Sequence, residues 1–185
     1  VLCAERGWEP VLVVAEVLGR AAESIHPQSP VVMITIPPPS PMRTRDTLIL
    51  RDVSDPGNVG TMIRSAAAFG WDVCISGASV DPWSPKVIRA GAGAHFALQI
   101  SSSHDPISDA RNLGLETVAT IVSDGLDPAR GEQPVALLIG SENSGLSPED
   151  IGRADRTLTL PMSGGTESLN AAVAASIAMY ALGQL

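Results

Sequence analysis

The sequence predicts an α/β domain in which a mostly parallel sheet carries helices on both faces. Two observations support this fold class. From residue 47 onward, short apolar runs alternate with segments of helical pattern. The apolar runs are almost uninterrupted by polar residues, as expected for strands that are buried on both faces of a sheet. The chain has 185 residues, of which 44% are hydrophobic, so it is long enough for one full domain and too apolar to be disordered.

Strands and helices are predicted in alternation along this region. The predicted strands cover residues 47–53, 73–76, 96–100, 116–122, 135–139 and 156–160. The predicted helices cover residues 58–69, 84–90, 105–114, a short segment that opens at 147, and 169–182. The helix at 147 has the clearest start, because Ser147, Pro148 and two acidic residues follow the preferences of a helix N-terminus.

A proline-rich segment at residues 37–41 predicts a linker, because such a run has few amide donors and favours extended backbone. Residues 1–40 are therefore predicted to be separate from the main domain at 41–185. A helix over 11–22 and a strand over 31–36 cannot close a core alone. This N-terminal piece is either part of a small α/β domain or an arm that rests on the main one.

The charge of the chain limits how it can bind its partners. The net charge is −8, whereas a domain that grips nucleic acid by charge alone is usually strongly basic, so any contact with a polyanion must be local. The two cysteines, Cys3 and Cys74, form no disulfide framework, which favours a cytoplasmic protein. The three histidines are dispersed, so we expect no metal site. The longest apolar run, 171–182, is too short to span a membrane.

Three loops are candidates for chemistry because ligands of open parallel sheets bind beyond the carboxyl ends of the strands. In the first, residues 55–60 lead into a predicted helix that carries Asn58 and Arg64, which can line one cleft. The alternative is an amphipathic helix in which Asn58 is only a cap and Arg64 is solvated. The second, residues 139–146, holds two glycines and Glu142, and it is either a ligand loop or a simple tight turn.

The third loop, residues 160–170, precedes the final helix. Ser168 is predicted to be the N-cap of that helix, and Asn170 is predicted to lie within its first turn. An ordinary capped core helix is the alternative, under which a polar Asn170 has no evident purpose.

The three loops together resemble the three motifs of the SpoU (TrmH-type) RNA 2′-O-ribose methyltransferases of the SPOUT superfamily. Asn58, Gly60 and Arg64 match the first motif. Residues 139–146 match the second, and residues 160–174 match the third. Each match is weak alone, but their order and the α/β pattern between them are specific. The resemblance covers residues 45–185, and residues 1–40 resemble the end of a small RNA-binding domain that would begin before this chain.

The resemblance implies a fold and a cofactor that periodicity does not predict. The C-terminal part of the sheet would be threaded into a trefoil knot, an exception to ordinary chain topology. The protein would be a homodimer that binds S-adenosylmethionine (AdoMet) without a metal. The implied cofactor-binding residues are Thr120, Ile121, Val122, Ile139, Gly140, Glu142, Gly145, Leu160, Met162, Ser168 and Leu169.

The implied reaction is methyl transfer from AdoMet to a ribose 2′-hydroxyl of structured RNA, ribosomal rather than transfer RNA. The implied catalytic residues are Arg64, Asn58, Glu142, Ser168 and Asn170. A guanidinium stays protonated at neutral pH, so Arg64 is expected to orient a phosphate and stabilise the 2′-oxyanion, and the group that accepts the proton stays open. The residues expected to contact RNA are Arg64, Arg43, Arg45 and Arg89.

Two other functions fit parts of the pattern. A catalytically silent RNA-binding module on the same fold would lack methyl transfer, but all the polar motif residues are present. A nucleotide enzyme unrelated to RNA would need a glycine fingerprint after the first strand, where only Gly57 and Gly60 are found.

Overall fold

The computed structural model describes residues 11–22, 35–163 and 168–183 and divides the chain into two units, Val1–Pro37 and Pro38–Leu185. In the first unit, helix α1 (Ala15–Ala21) is shorter than the predicted helix at 11–22, and it buries none of its residues. The strand predicted at 31–36 lies mostly outside the described residues.

The second unit is built on six strands and five helices within its described residues. Its strands are β1 (Thr47–Arg51), β2 (Asp72–Ser76), β3 (Ile100–Ser102), β4 (Glu116–Thr120), β5 (Val135–Ile139) and β6 (Arg156–Leu158). Its helices are α2 (Pro56–Phe69), α3 (Pro85–Gly91), α4 (Pro106–Asn112), α5 (Pro148–Arg153) and α6 (Ala171–Gly183).

All strand pairs in the described sheet are parallel, and the strand order is β3-β2-β1-β5-β4-β6. Successive side chains of a strand point to opposite faces, and the core follows this rule. Leu48 and Leu50 of β1 join a cluster with Met62 of α2, whereas Ile49 joins a second cluster with Ile107 of α4. Helices therefore cover both faces, and the predicted α/β class with a parallel sheet is confirmed.

One predicted strand was wrong. The apolar residues at 96–98 suggested a strand at 96–100, but Ala94–Phe96 forms a 3₁₀ turn and β3 begins only at Ile100. Ala92 and Gly93 both have left-handed backbone, with φ of 48° and 85°, which ends α3 and turns the chain. Phe96 therefore points to solvent, and it is 70% exposed.

The strand predicted at 135–139 has the observed bounds of β5, whereas the ends of several other elements differ from the predicted ones. The strand predicted at 47–53 ends at Arg51, since Asp52 takes a left-handed φ of 58°. The helix predicted from Asn58 begins at Pro56, and its N-cap is Asp55, whose carboxylate accepts the Asn58 amide at 2.7 Å.

The connection between β4 and β5 passes to the outer edge of β6. Ile121 directly follows β4 and donates its amide to Leu158 O at 2.9 Å, on the β4 side of β6. Leu126 lies on the opposite edge, where its amide donates to Thr157 O at 3.2 Å and its carbonyl accepts the Thr159 amide at 3.0 Å. A Cβ on Gly125 would lie 2.7 Å from the Thr159 amide nitrogen, so only glycine fits there. The chain then returns to β5, on the opposite side of β4. In the described parts of the chain, no helix has the length and apolar character needed to cross a membrane.

Candidate functional site

A cavity of about 720 Å³ opens beyond the carboxyl ends of β4, β5 and β6 and beside the start of α6. Every residue that the family resemblance assigned to the cofactor lines it. They are Thr120, Ile121, Val122, Ile139, Gly140, Glu142, Gly145, Leu160, Met162, Ser168 and Leu169. The structure thus brings together residues from three loops that lie far apart in the sequence.

The glycine loop after β5 presents its backbone to this cavity. Ser141 and Gly145 exchange two backbone hydrogen bonds, of 3.2 and 2.9 Å, which close a tight turn. A Cβ on Gly140 would lie 2.1 Å from the carbonyl carbon of Gly145, and Gly145 has a φ of 66°. Both glycines are therefore required by the turn itself, and this tight turn forms part of the cavity wall.

Glu142 links this loop to the start of α2. Its carboxylate accepts the Asn58 side-chain amide at 3.0 Å and the backbone amides of Asp55 and Ser54 at 3.3 and 3.4 Å. Partial burial opposes the charged form, but these hydrogen bonds outweigh it and hold the pKa of Glu142 below its ordinary value. Glu142 is therefore charged at neutral pH and fixes the geometry between two loops.

Asn58 extends the link to the third loop. Its side-chain oxygen accepts the Asn170 side-chain amide at 3.0 Å, so the side chains of Glu142, Asn58 and Asn170 form one hydrogen-bonded chain. Asp55, and not Asn58, caps α2, which leaves the Asn58 side chain for these contacts. Each of the three candidate loops contributes one member of this chain.

The prediction that Ser168 is the N-cap of the final helix was wrong. The helix begins at Ala171, and the side-chain oxygen of Asn170 accepts the amides of Ala172 and Val173 at 2.9 and 3.3 Å. Asn170 is therefore the N-cap of this helix. Its side-chain oxygen accepts the first helix amides, while its side-chain nitrogen donates to Asn58. Ser168 lines the cavity instead.

Arg64 does not line this cavity. It is exposed on α2, and it makes no hydrogen bond or ion pair with any residue that the structure describes. One turn earlier, a Cβ on Gly60 would lie 2.4 Å from the Ala90 Cβ, so Gly60 allows α3 to pack directly on α2. Residues four apart lie on the same side of a helix, which places Arg64 beside α3.

The other predicted RNA contacts are distributed over the surface. Arg43 is paired with the buried Asp72, with an Nη2–Oδ1 distance of 2.9 Å. Arg45 donates to the Gly70 carbonyl at 3.0 Å, at the end of α2. Arg89 is exposed on α3. Arg43 and Arg45 thus already have structural partners.

Several residues of the cavity wall were not assigned to the cofactor one by one. They are Ser141, Asn143, Ser144, Leu146, Ile151, Leu158, Ala171 and Ala174. Three of them lie within residues 139–145, which the resemblance already implied as a cofactor loop. Across the described ranges, no cluster of three or more His, Cys, Asp or Glu could hold a metal ion.

Comparison with known proteins identifies the family of this chain. The family model described as the SpoU rRNA Methylase family matches residues 46–180. A Synechocystis protein named as an uncharacterized tRNA/rRNA methyltransferase is 33% identical over 91% of this chain, which spans 65% of that relative's length. The Bacillus subtilis 23S rRNA (guanosine(2553)-2′-O)-methyltransferase RlmP is 29% identical, with 96% of this chain and 74% of RlmP covered.

A solved structure covers nearly the whole chain. The AdoMet-bound rRNA methyltransferase from Sinorhizobium meliloti matches with a TM-score of 0.81 and 30% identity, over 97% of this chain and 73% of that one. The family match covers most of the second unit, including the cavity and all three candidate loops. This chain therefore belongs to the SpoU rRNA methylase family.

Proposed function

We propose that this protein transfers a methyl group from AdoMet to a ribose 2′-hydroxyl of structured RNA, ribosomal rather than transfer RNA. The observation that carries the proposal is the cavity whose rim is held by the Glu142–Asn58–Asn170 chain. The AdoMet bound to the Sinorhizobium relative supports the cofactor, and the name of RlmP supports a ribosomal substrate.

The residues of the cavity fit AdoMet. Its volume of about 720 Å³ lies within the range of cofactor pockets. Apolar side chains such as Ile121, Ile139 and Leu160 offer surface for an adenine ring, and the backbone of the 140–145 turn offers hydrogen bonds to polar groups. When bound, AdoMet supplies a methyl group on a positively charged sulfur that is already activated for displacement.

The chain's own residues would position the acceptor. In-line displacement gains most from holding the two reactants in the correct geometry. Asn170 and Ser168 stand at the cavity wall, where they can hydrogen bond to a ribose. Asn58 and Glu142 fix Asn170 and the glycine loop, and so act as positioning residues. Arg64 would bind a phosphate and stabilise the developing 2′-oxyanion.

Arg64 lies outside the cavity of its own chain, so we propose that it acts in a homodimer. Apolar side chains of α2 and α6 are exposed next to each other, and the rings of Phe69 and Tyr180 lie 5.8 Å apart. Val173 and Ile177 of α6 extend this surface, with exposures of 46% and 44%. Since α6 begins at the cavity, pairing over this surface would place Arg64 of the partner subunit near the cavity mouth.

We further propose that the C-terminal part is knotted. The support is the course of the β4–β5 connection, which passes along the outer edge of β6 and returns on the far side of β4. Strand β6 would therefore pass through the loop that the β4–β5 connection of the same chain forms. The cytoplasmic location and the RNA-binding role of residues 1–40 stay predictions.

Transfer of tritiated methyl from AdoMet tests this function. We expect label in ribosomal RNA, at a ribose, and less in transfer RNA from the same cells. Label in transfer RNA alone would overturn the substrate preference. If the wild-type chain labels neither RNA while binding both normally, the protein is a silent RNA-binding module.

A further inference from the structure

We propose that Phe96 is a stacking platform for an unpaired nucleobase of the RNA, next to the α2–α3 surface, which carries Arg64, Lys86 and Arg89. This inference rests on the proposed function and names a part of the RNA site that lies outside the cofactor cavity. Phe96 is 70% exposed, although the chain contains only two phenylalanines.

The turn that carries Phe96 is held rigidly by the preceding residue. His95 is 4% exposed, and its Nε2 donates to the Pro82 carbonyl at 2.9 Å. Its ring packs on Trp83, with centroids 5.4 Å apart. A Cβ on Gly91 would lie 2.5 Å from the His95 ring, so that glycine makes room for it. Because His95 points inward and is fixed, Phe96 is fixed pointing outward.

Two segments that meet near Phe96 lack acidic residues, although the chain as a whole is acidic. Residues 56–71 and 82–104 contain no Asp or Glu, in a chain that has 20 of them. The same two segments carry Arg64, Lys86 and Arg89, all exposed. Helix α3 and the 3₁₀ turn at Ala94–Phe96 both pack against α2, so these side chains belong to one part of the fold.

Cationic side chains together with an exposed aromatic ring are the combination that binds single-stranded RNA. The cations contact phosphates, and the ring stacks on a base whatever its identity. An apolar protein partner would not require the absence of acidic residues from both segments. The charge therefore favours RNA as the occupant of this surface.

Binding to two oligomers isolates the stacking contribution. One is a short single-stranded oligoribonucleotide of mixed sequence, and the other is a ribose-phosphate oligomer of the same length without bases. We expect the full chain to bind the first about tenfold more tightly, which is typical of one base stacked on an aromatic ring. Phe96→Ala should lose this preference, and Phe96→Trp should keep it.

The salt dependence of RNA binding distinguishes the stacking contribution of Phe96 from the electrostatic contribution of the cationic side chains. Phe96→Ala should leave the slope of log K against log salt unchanged, because stacking releases no counterions. Lys86→Ala should keep the base preference and reduce that slope by about 0.7. Leu126→Ala, which removes another exposed apolar side chain far along the sequence, should change neither quantity.

Two outcomes overturn the inference: a wild-type chain with no preference for the base-bearing oligomer, or a Phe96→Ala chain that keeps it. Methyl transfer to ribosomal RNA, measured on the same preparations, tests the proposed function separately. Transfer by the wild type with an unchanged base preference in Phe96→Ala would remove the stacking platform and leave the proposed function standing. No transfer by the wild type, together with a base preference that Phe96→Ala loses, would remove the proposed function and leave Phe96 as the stacking platform of a silent RNA-binding module.

Discussion

The cofactor cavity and the α2–α3 surface are built in different ways. The cavity is closed by contacts within one chain, since Glu142, Asn58 and Asn170 satisfy one another and their neighbouring backbone amides. The α2–α3 surface presents Arg64 to solvent without a partner among the described residues. The polar side chains at the cavity rim have partners within the same chain, whereas Arg64 on the α2–α3 surface has none among the described residues. Under the proposed function, the cavity would bind AdoMet without rearrangement, whereas the RNA site would be completed by the partner subunit.

The largest effect should come from Arg64→Ala. We expect methyl transfer to fall by about 10²–10³-fold, as when one oxyanion-stabilising group is removed, because a developing negative charge loses its partner. AdoMet affinity, measured by calorimetry, should stay at the wild-type value, because Arg64 does not line the cavity. Thr61→Ala, at an exposed position one turn earlier on α2, is the control. Loss of AdoMet binding in Arg64→Ala would contradict the separation of the two regions.

Gly140→Ala should damage the cavity itself. The added methyl would lie 2.1 Å from the backbone of Gly145, so the turn must open, and we expect a loss of about 3 kcal/mol in the free energy of unfolding. AdoMet binding should fall with it. Gly152→Ala in helix α5 is the matched control, because a Cβ at this position would meet nothing within 4 Å. This substitution should raise the free energy of unfolding by about 0.5 kcal/mol. Chemical denaturation measures the free energy of unfolding of both variants. If Gly140→Ala is as stable as Gly152→Ala, the turn is not rigid.

Asn170→Ala should cost about 1 kcal/mol of stability, which is the usual cost of losing an N-cap. It should also lower methyl transfer, because the link to Asn58 is lost. Ser168→Ala should leave the unfolding curve unchanged, since Ser168 does not cap the helix. If Ser168→Ala destabilises the protein more than Asn170→Ala does, the helix begins where the sequence predicted.

The smallest effect concerns pH. The pKa of Glu142 is lower in the folded chain than in the unfolded one, so its contribution to stability is present above the ordinary glutamate pKa and is lost as pH falls through the folded value. Glu142→Gln should therefore cost about 1 kcal/mol at neutral pH, a modest figure because the side chain is partly exposed. The difference from wild type should shrink in acid. If the stability difference between the wild type and Glu142→Gln does not change with pH, the charge of Glu142 does not contribute to stability.

The sequence predicted most of the fold because most strands contain a short apolar run and most helices start at a proline behind a polar cap. The family resemblance predicted residues that line the cavity, and two of them are glycines that the 140–145 turn requires. Prediction failed where distant contacts decide the structure. The run at 96–98 looks like a strand, but left-handed backbone at Ala92 and Gly93 and the burial of His95 accompany a turn there. Asn170 caps α6 and also contacts Asn58, which is distant in the sequence. The course of the β4–β5 connection around β6 leaves no trace in local pattern.

Mixing two impaired variants tests the central claim most directly. Arg64→Ala and Asn170→Ala are each expected to reduce methyl transfer, one through the α2–α3 surface and the other through the cavity. If Arg64 serves the cavity of the partner subunit, a mixed dimer contains one cavity with every group intact, and methyl transfer to ribosomal RNA returns. Mixed dimers that form but stay inactive would contradict the claim, because both groups would then have to belong to the same chain.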